Sequence, residues 1–128
     1  NINKYRWDNY GKYCAAATGL YLNYKDFHKI ARLLYFDGLY DDVQIVPKEW
    51  GEQMTIKQID CENYYKPERV LPKIGAGYFV WLSRDGIIFR DGSMGQYIIC
   101  DHKNNRLLTI MSTEKRMSLI TECLNGLL

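Results

Sequence analysis

The sequence lacks a long apolar run and lacks a strong excess of charge of either sign. A membrane-spanning helix needs about 18 consecutive apolar residues, and no stretch of this chain approaches that length. The 17 basic and 15 acidic residues give a formal net charge of +2 and are spread along the chain. Binding to a phosphate backbone requires a dense basic face. We therefore expect no membrane span and no nucleic-acid partner.

Residues that bind metals or form cross-links are also few. The four cysteines are far apart and include no C-x-x-C pair, which argues against a zinc site and gives no disulfide framework; they are Cys14, Cys61, Cys100 and Cys123. We predict that they are buried free thiols. The two histidines, His28 and His102, are predicted to be structural rather than metal ligands or bases. We expect no metal and no cofactor.

What the chain does contain suits one globular domain. Its 128 residues, 47% hydrophobic and 25% charged, are typical of a single soluble unit, so residues 1–128 are predicted to be one domain. The first ten residues lack the basic start and apolar run of a signal peptide. Asn1–Thr18 is predicted to be an irregular lead-in, and Asp60–Lys73, with Pro67 and Pro72, a long surface crossing.

Helical spacing of apolar residues predicts three helices. Asn23 is a plausible N-cap for the first, which carries Asp26 in its first turn and ends at Gly38; its apolar face comprises Phe27, Ile30, Ala31 and Leu34. Pro47 opens a second, shorter helix anchored by Trp50. Thr113 is predicted to cap a closing helix whose apolar face suits packing across a sheet; its members are Met117, Ile120, Leu124 and Leu127.

Between the second and third helices the sequence predicts consecutive β-strands. They are joined by turn signals at Asp85-Gly86 and Asn104-Asn105, and they cover Tyr78–Leu82, Ile87–Arg90, Gln96–Asp101 and Leu107–Met111. The predicted fold class is therefore α+β: an antiparallel sheet of three to four strands packed on a C-terminal helix, with two preceding helices.

Two sequence blocks resemble one known family. The first reads GLYLNYKDFHKIARLL over Gly19–Leu34, followed by Gly38 and by IVPKEW over Ile45–Trp50. The second reads GYFVW over Gly77–Trp81, followed by FRDGSMGQYI over Phe89–Ile98. In order and spacing they resemble the β-lactamase-like serine hydrolases, the superfamily of class C β-lactamases, DD-peptidases (penicillin-binding proteins) and esterases. The second block is similar to the family's closing strands, where a K-T-G or H-x-G triplet precedes a G-Q pair.

The resemblance implies a serine hydrolase that cleaves an amide, ester or β-lactam bond through an acyl-enzyme. By position, Arg90, Asp91 and Gly92 fall on the substrate-binding triplet, and the Ser93 backbone N–H falls on a donor of the oxyanion hole. A partial β-lactamase/transpeptidase-like fold, a small-molecule or peptide substrate and a location in the bacterial cell envelope or periplasm are further implications. The altered triplet weakens the β-lactam interpretation more than the hydrolase interpretation, because Asp91 places negative charge near an anionic substrate.

The family's S-x-x-K nucleophile motif and Y-x-N base motif normally precede the first block. The resemblance therefore implies that this chain is the C-terminal portion of a larger domain and is inactive alone. Formal copies occur at Ser112–Lys115 and Tyr21–Asn23, in reversed order, and we interpret them as capping and packing residues. Tyr13, Tyr21, Tyr35 and Tyr40 are expected to pack against the missing part.

Two other interpretations stay open. One is a noncatalytic binding or scaffold protein of the same fold that holds an anionic ligand at Arg90–Gln96, and the other is a small domain that self-associates through a sheet edge. Arg90 itself has two interpretations: it clamps an anion in a bidentate manner, or it is an outward residue at a strand end, solvated or paired with Asp91.

Overall fold

A computed structural model describes residues 1–15, 18–61 and 70–128. Its helices and strands are, in chain order, β1 (Arg6–Trp7), β2 (Asn9–Tyr10), β3 (Tyr13–Cys14), β4 (Leu20–Tyr21), α1 (Tyr24–Tyr35), β5 (Leu39–Tyr40), β6 (Val43–Gln44), α2 (Lys48–Thr55), β7 (Ile59–Asp60), β8 (Gly75–Ala76), β9 (Trp81–Leu82), β10 (Ile88–Gly92), β11 (Gln96–Asp101), β12 (Arg106–Ile110) and α3 (Met117–Leu127). The described residues thus form an α+β fold with three helices, as the sequence predicts.

The main sheet is an antiparallel meander in which each strand pairs with the next one along the chain. Its order is β7-β8-β9-β10-β11-β12, so it has six strands where three to four were predicted. The two additional strands, β7 and β8, precede the predicted Tyr78–Leu82 strand, of which only Trp81 and Leu82 are in β9. Ala76 pairs with Trp81, and Ile59 pairs with Ala76. The pairs of β9, β10, β11 and β12 agree with the predicted order.

Helices cover both faces of this sheet. Successive side chains of β10 and β11 point to opposite sides, so each face presents apolar side chains to a helix. On one face, Phe89 and Ile99 pack with Ile120 and Leu124 of α3. On the other face, Ile98 and Cys100 pack with Ala31 of α1. The predicted packing of the closing helix on the sheet is confirmed, and the sheet is the middle layer of three.

Local signals explain where the first two helices begin and end. The Asn23 side chain accepts a hydrogen bond from the backbone N–H of Asp26 at 3.0 Å, which confirms the predicted N-cap. Gly38 has a φ of 86° after the last turn of α1, a backbone conformation that favours glycine. Pro47, predicted to be the first residue of the second helix, is instead the N-cap of α2, directly before Lys48. Trp50, predicted to anchor this helix, is 48% exposed.

Other predictions need correction. Thr113 does not cap α3: the helix starts at Met117, and no side chain caps it. Asn1–Thr18 is not wholly irregular, because β1 to β3 lie within its described part. Of the Asp60–Lys73 crossing, residues 62–69 with Pro67 lie outside the described residues. Leu71 and Pro72, at its end, are buried rather than on the surface.

The prediction that the cysteines are buried free thiols is confirmed for two of the four. All four are free, and Cys61 and Cys100 are buried, but Cys14 and Cys123 are exposed. Burial raises the pKa of the Cys100 thiol to about 12, with a smaller contribution from the charge of Asp37. In residues 1–15, 18–61 and 70–128, no helix combines the length and apolar character needed to cross a bilayer.

Candidate functional site

The candidate site residues lie where β10 ends and turns into β11. Arg90, Asp91 and Gly92 are the last three residues of β10, and exposed Ser93 follows directly. Gly92 pairs with Gln96 across the hairpin, and the turn contains Met94 and Gly95 at φ values of 63° and 80°. The structure therefore keeps the four predicted residues together at one strand end.

Strand alternation separates Arg90 from Asp91. Asp91 lies on the face of Phe89, which is covered by α3, whereas Arg90 and Gly92 lie on the face of Ile88 and Ile98, which is covered by α1. The two charged side chains therefore do not form one wall of a common cleft.

Asp91 is held by two neighbours on its own face. Its carboxylate lies 2.9 Å from Lys73 Nζ and accepts a hydrogen bond of 2.8 Å from the indole Nε1 of Trp81. Lys73 Nζ also lies 4.0 Å from the centre of the Trp81 ring. This ion pair neutralises Asp91, so its negative charge opposes anion binding less than the sequence suggested. Lys73 was not anticipated, because it is 18 residues away along the chain.

Arg90 has a different environment. Its guanidinium carbon lies 5.6 Å from the centre of the Phe79 ring. Partial burial lowers the pKa of the guanidinium, and the charge of Asp91 partly opposes that shift. Among the described residues no ion pair joins Arg90 to a carboxylate. An exposed guanidinium that forms no ion pair with a carboxylate of the described residues is suited to hold an anion.

Three aromatic side chains lie at the β8–β9 turn or pack on it, and one of them, Phe79, lies close to Arg90. Trp50 of α2 stacks on Tyr78, with ring centres 5.4 Å apart and planes 9° apart. Phe79, the next residue of the turn, has an exposed ring and a φ of 59°. Sequence reasoning missed this group, since it treated Trp50 only as the anchor of the second helix and placed Tyr78 and Phe79 in a regular strand.

The formal copies of the nucleophile and base motifs have structural roles. Ser112 Oγ accepts a hydrogen bond from the backbone N–H of Glu114 at 2.9 Å, and residues 112–115 precede α3. Lys115 is therefore not one helical turn from Ser112, the arrangement in which an S-x-x-K lysine reaches its serine. Tyr21 donates to Asp8, and Asn23 is the N-cap of α1.

The histidines lie elsewhere. His28 Nδ1 lies 3.0 Å from Thr109 Oγ1, and the ring of His102 stacks on that of Tyr35 at 4.4 Å. In the part of the chain that the structure describes, no three side chains of His, Cys, Asp or Glu are grouped so that they could hold a metal ion.

Comparison with known proteins adds no assignment: no family model and no curated protein matches this sequence. Function must therefore be argued from the residues and their geometry.

Proposed function

We propose that this chain forms the C-terminal portion of a β-lactamase-like serine hydrolase, and that the intact parent cleaves an amide, ester or β-lactam bond. The observation that carries the proposal is the ordered pair of blocks, Gly19–Trp50 and Gly77–Ile98, which resemble the corresponding blocks of that family. The meander β9 to β12 followed by α3 supports it, since the family's triplet strand is also followed by further strands and a closing helix.

In this proposal, Arg90, Gly92 and the Ser93 backbone form one wall of the site. The Ser93 backbone N–H donates to the oxygen that becomes negative when a serine attacks the scissile carbonyl. One such donor is typically worth about 2.7–4 kcal/mol of transition-state stabilisation. Arg90 and Gly92 share a face of β10, and Arg90 binds an anionic group of the substrate there. Asp91 supports the strand from the other face through Lys73 and Trp81.

The nucleophile and its base belong to the parent and not to this chain. The serine hydroxyl loses its proton to the base as its oxygen bonds to the carbonyl carbon, and the leaving group departs with a proton to give the acyl-enzyme. Water then releases the acid. The chain over residues 1–128 is expected to be inert alone, because Ser112 has a turn-forming role and Lys115 is not placed to activate it.

A fluorescent fluorophosphonate tests the proposal, because it labels an activated serine covalently. The longer gene product is expected to be labelled at one serine that precedes Asn1, and the chain over residues 1–128 is expected to remain unlabelled. A Ser112→Ala variant of the longer product serves as the matched control and should be labelled normally. Labelling at Ser112, or no labelling of the longer product in the folded state, contradicts the proposal.

The second candidate is a noncatalytic binding or scaffold protein of the same fold. One observation favours it: Arg90 is suited to hold an anion without any catalytic group nearby in the described residues. Self-association belongs to this candidate, since β12 is an outer strand of the sheet and outer strands can pair with a second copy. The labelling experiment separates the two candidates, because a binding protein carries no activated serine.

A further inference from the structure

The aromatic group at the β8–β9 turn is rigidly built. The turn is closed by a 3.0 Å hydrogen bond from the Gly77 N–H to the Val80 carbonyl, and the Tyr78 N–H donates to the Met54 carbonyl of α2, also at 3.0 Å. No larger residue fits at Gly77, because a Cβ there would collide with the Met54 carbonyl oxygen. The turn and α2 therefore hold Trp50 and Tyr78 in their stacked arrangement.

These rings are exposed although hydrogen bonds fix the backbone of the turn. Trp50, Tyr78 and Phe79 are 48%, 42% and 65% exposed. Phe79 also has a left-handed φ of 59°, which costs a bulky residue of the order of 1 kcal/mol or more. Glycine is the residue that such a turn position favours. Neither core packing nor turn geometry explains an aromatic side chain here.

Arg90 supplies a positive charge next to one of these rings, that of Phe79. Its guanidinium carbon is 5.6 Å from the centre of the Phe79 ring, and Arg90 has no carboxylate partner among the described residues. Asp91, its neighbour along the strand, points to the other face and is paired with Lys73. The face that carries Arg90 therefore presents a positive charge beside exposed aromatic surface.

We infer that Arg90, Phe79 and the Trp50–Tyr78 pair form a binding site for an aromatic carboxylate. The carboxylate pairs with the Arg90 guanidinium through charge-assisted hydrogen bonds, and the ring of the ligand packs against the exposed aromatic side chains. The inference rests on the proposed function in one respect: that function identifies the ligand as the acid part of the substrate or product. The binding itself requires no nucleophile.

Phenylacetate is a suitable probe, and the folded chain over residues 1–128 is a suitable target. In a nitrogen-15 chemical-shift titration, phenylacetate is expected to shift the backbone amide signals of Tyr78, Phe79 and Arg90 and the indole signal of Trp50. Phenylacetamide keeps the ring but has no charge, and acetate has no ring. Each should bind at least about tenfold more weakly than phenylacetate. Equal binding of acetate and phenylacetate, or shifts confined to other residues, overturns the inference.

Substitutions identify the groups responsible. Arg90→Gln and Phe79→Ala should each weaken phenylacetate binding by about tenfold or more, and Arg90→Lys should retain part of the affinity. Arg116→Gln, an exposed arginine before α3, is the matched control and should leave the affinity unchanged. If Arg90→Gln does not fold, Arg90→Lys and Phe79→Ala still decide the question, and wild-type affinity in both overturns the inference.

The outcome is distinguishable from that of the labelling experiment. Phenylacetate binding without serine labelling supports the site and rejects the hydrolase. Serine labelling without phenylacetate binding supports the hydrolase and rejects an aromatic carboxylate as its ligand.

Discussion

At the scale of single residues, Asp101 is the most strongly constrained charge of the described chain. Its carboxylate is 1% exposed and accepts hydrogen bonds from Arg106 at 2.6 and 3.0 Å and from the Asn104 side chain at 2.9 Å. Burial alone raises the pKa of Asp101, but the hydrogen bonds from Asn104 and Arg106 outweigh burial and hold the pKa below its usual value. The ion pair of Asp101 with Arg106 fixes the β11–β12 turn.

Replacing Asp101 by Asn is expected to lower the free energy of unfolding by about 1–3 kcal/mol at neutral pH, the typical cost of losing hydrogen bonds to a buried charged group, since Arg106 itself stays partly solvated. Because the carboxyl pKa is lower in the folded state, this stabilisation is fully present above the unfolded-state pKa and is lost as pH falls through the folded-state pKa. Urea unfolding from pH 7 downward should therefore show the variant and the wild type converging in acid.

Asp85→Asn is the matched control for this measurement. Asp85 forms an exposed ion pair with Lys103, and exposed pairs typically contribute about 1 kcal/mol or less. Asn also tolerates the positive φ of this position. Equal stability of the two variants at neutral pH would rule out the structural role of Asp101.

At the scale of elements, α3 is held by two residues one turn apart. Ile120 and Leu124 are buried against Phe89 and Ile99, and a Cβ at Gly95 would lie only 2.7 Å from Ile120 Cδ1. The closing helix therefore packs directly behind the turn that carries Ser93. Its position couples the stability of the sheet to the geometry of the candidate site.

Truncation of Ile120 to Ala is expected to lower the free energy of unfolding by about 2–5 kcal/mol, the range for aliphatic core residues. Leu119→Ala removes a similar volume from the exposed side of the same helix, and about 0.5 kcal/mol is expected there. Thermal or urea unfolding of the two variants gives the comparison. A loss of equal size in both would mean that α3 does not pack on the sheet through Ile120.

The elements that sequence predicted well carry local signals. Asn23 caps α1 with its own side chain, and Asp85 and Gly86 both adopt the positive φ that a tight hairpin requires. The strands β7 and β8 have two residues each, too few to show an alternating pattern. The predicted cap of α3 at Thr113 was wrong because Ser112 and Glu114 form a local turn there, and the helix begins only at Met117. Such short and competing signals are resolved only by tertiary packing.

At the scale of the whole molecule, stability is expected to be uneven. The strands β10 and β11 lie in the middle of the sheet and contain Phe89, Ile99 and Cys100, each 1% exposed or less. The hairpin of β2 and β3 is exposed at all four of its residues, including Tyr10 and Tyr13. Tyr13 and Tyr21, which were expected to pack against a missing part of the domain, are exposed in this chain.

Amide hydrogen exchange should reveal this difference. The amides of β10 and β11 that bond within the sheet are expected to exchange at least about 100-fold more slowly than those of β2 and β3, because opening a central strand approaches global unfolding. Mass spectrometry after timed labelling gives the comparison. Similar protection in both hairpins would show that the molecule unfolds as one cooperative unit.

The candidate site was predictable in part, because strand alternation is a local property of the sequence. A strand that contains Arg90 and Asp91 in succession must place them on opposite faces, so their separation follows from the sequence once the strand is recognised. The partner Lys73 and the ring of Phe79 come from other segments, and no spacing rule brings them to β10. Long-range pairing of strands decided both contacts.

The left-handed backbone at Phe79 has a consequence for protein engineering. Selection for thermal resistance alone would favour Gly or Asn at this position, since either residue relaxes the turn. The resulting variant would be more stable to heat, but it would lose the ring that faces the incoming ligand. Heat tolerance and recognition thus compete at one position, and a stabilisation campaign on this chain should hold residue 79 fixed.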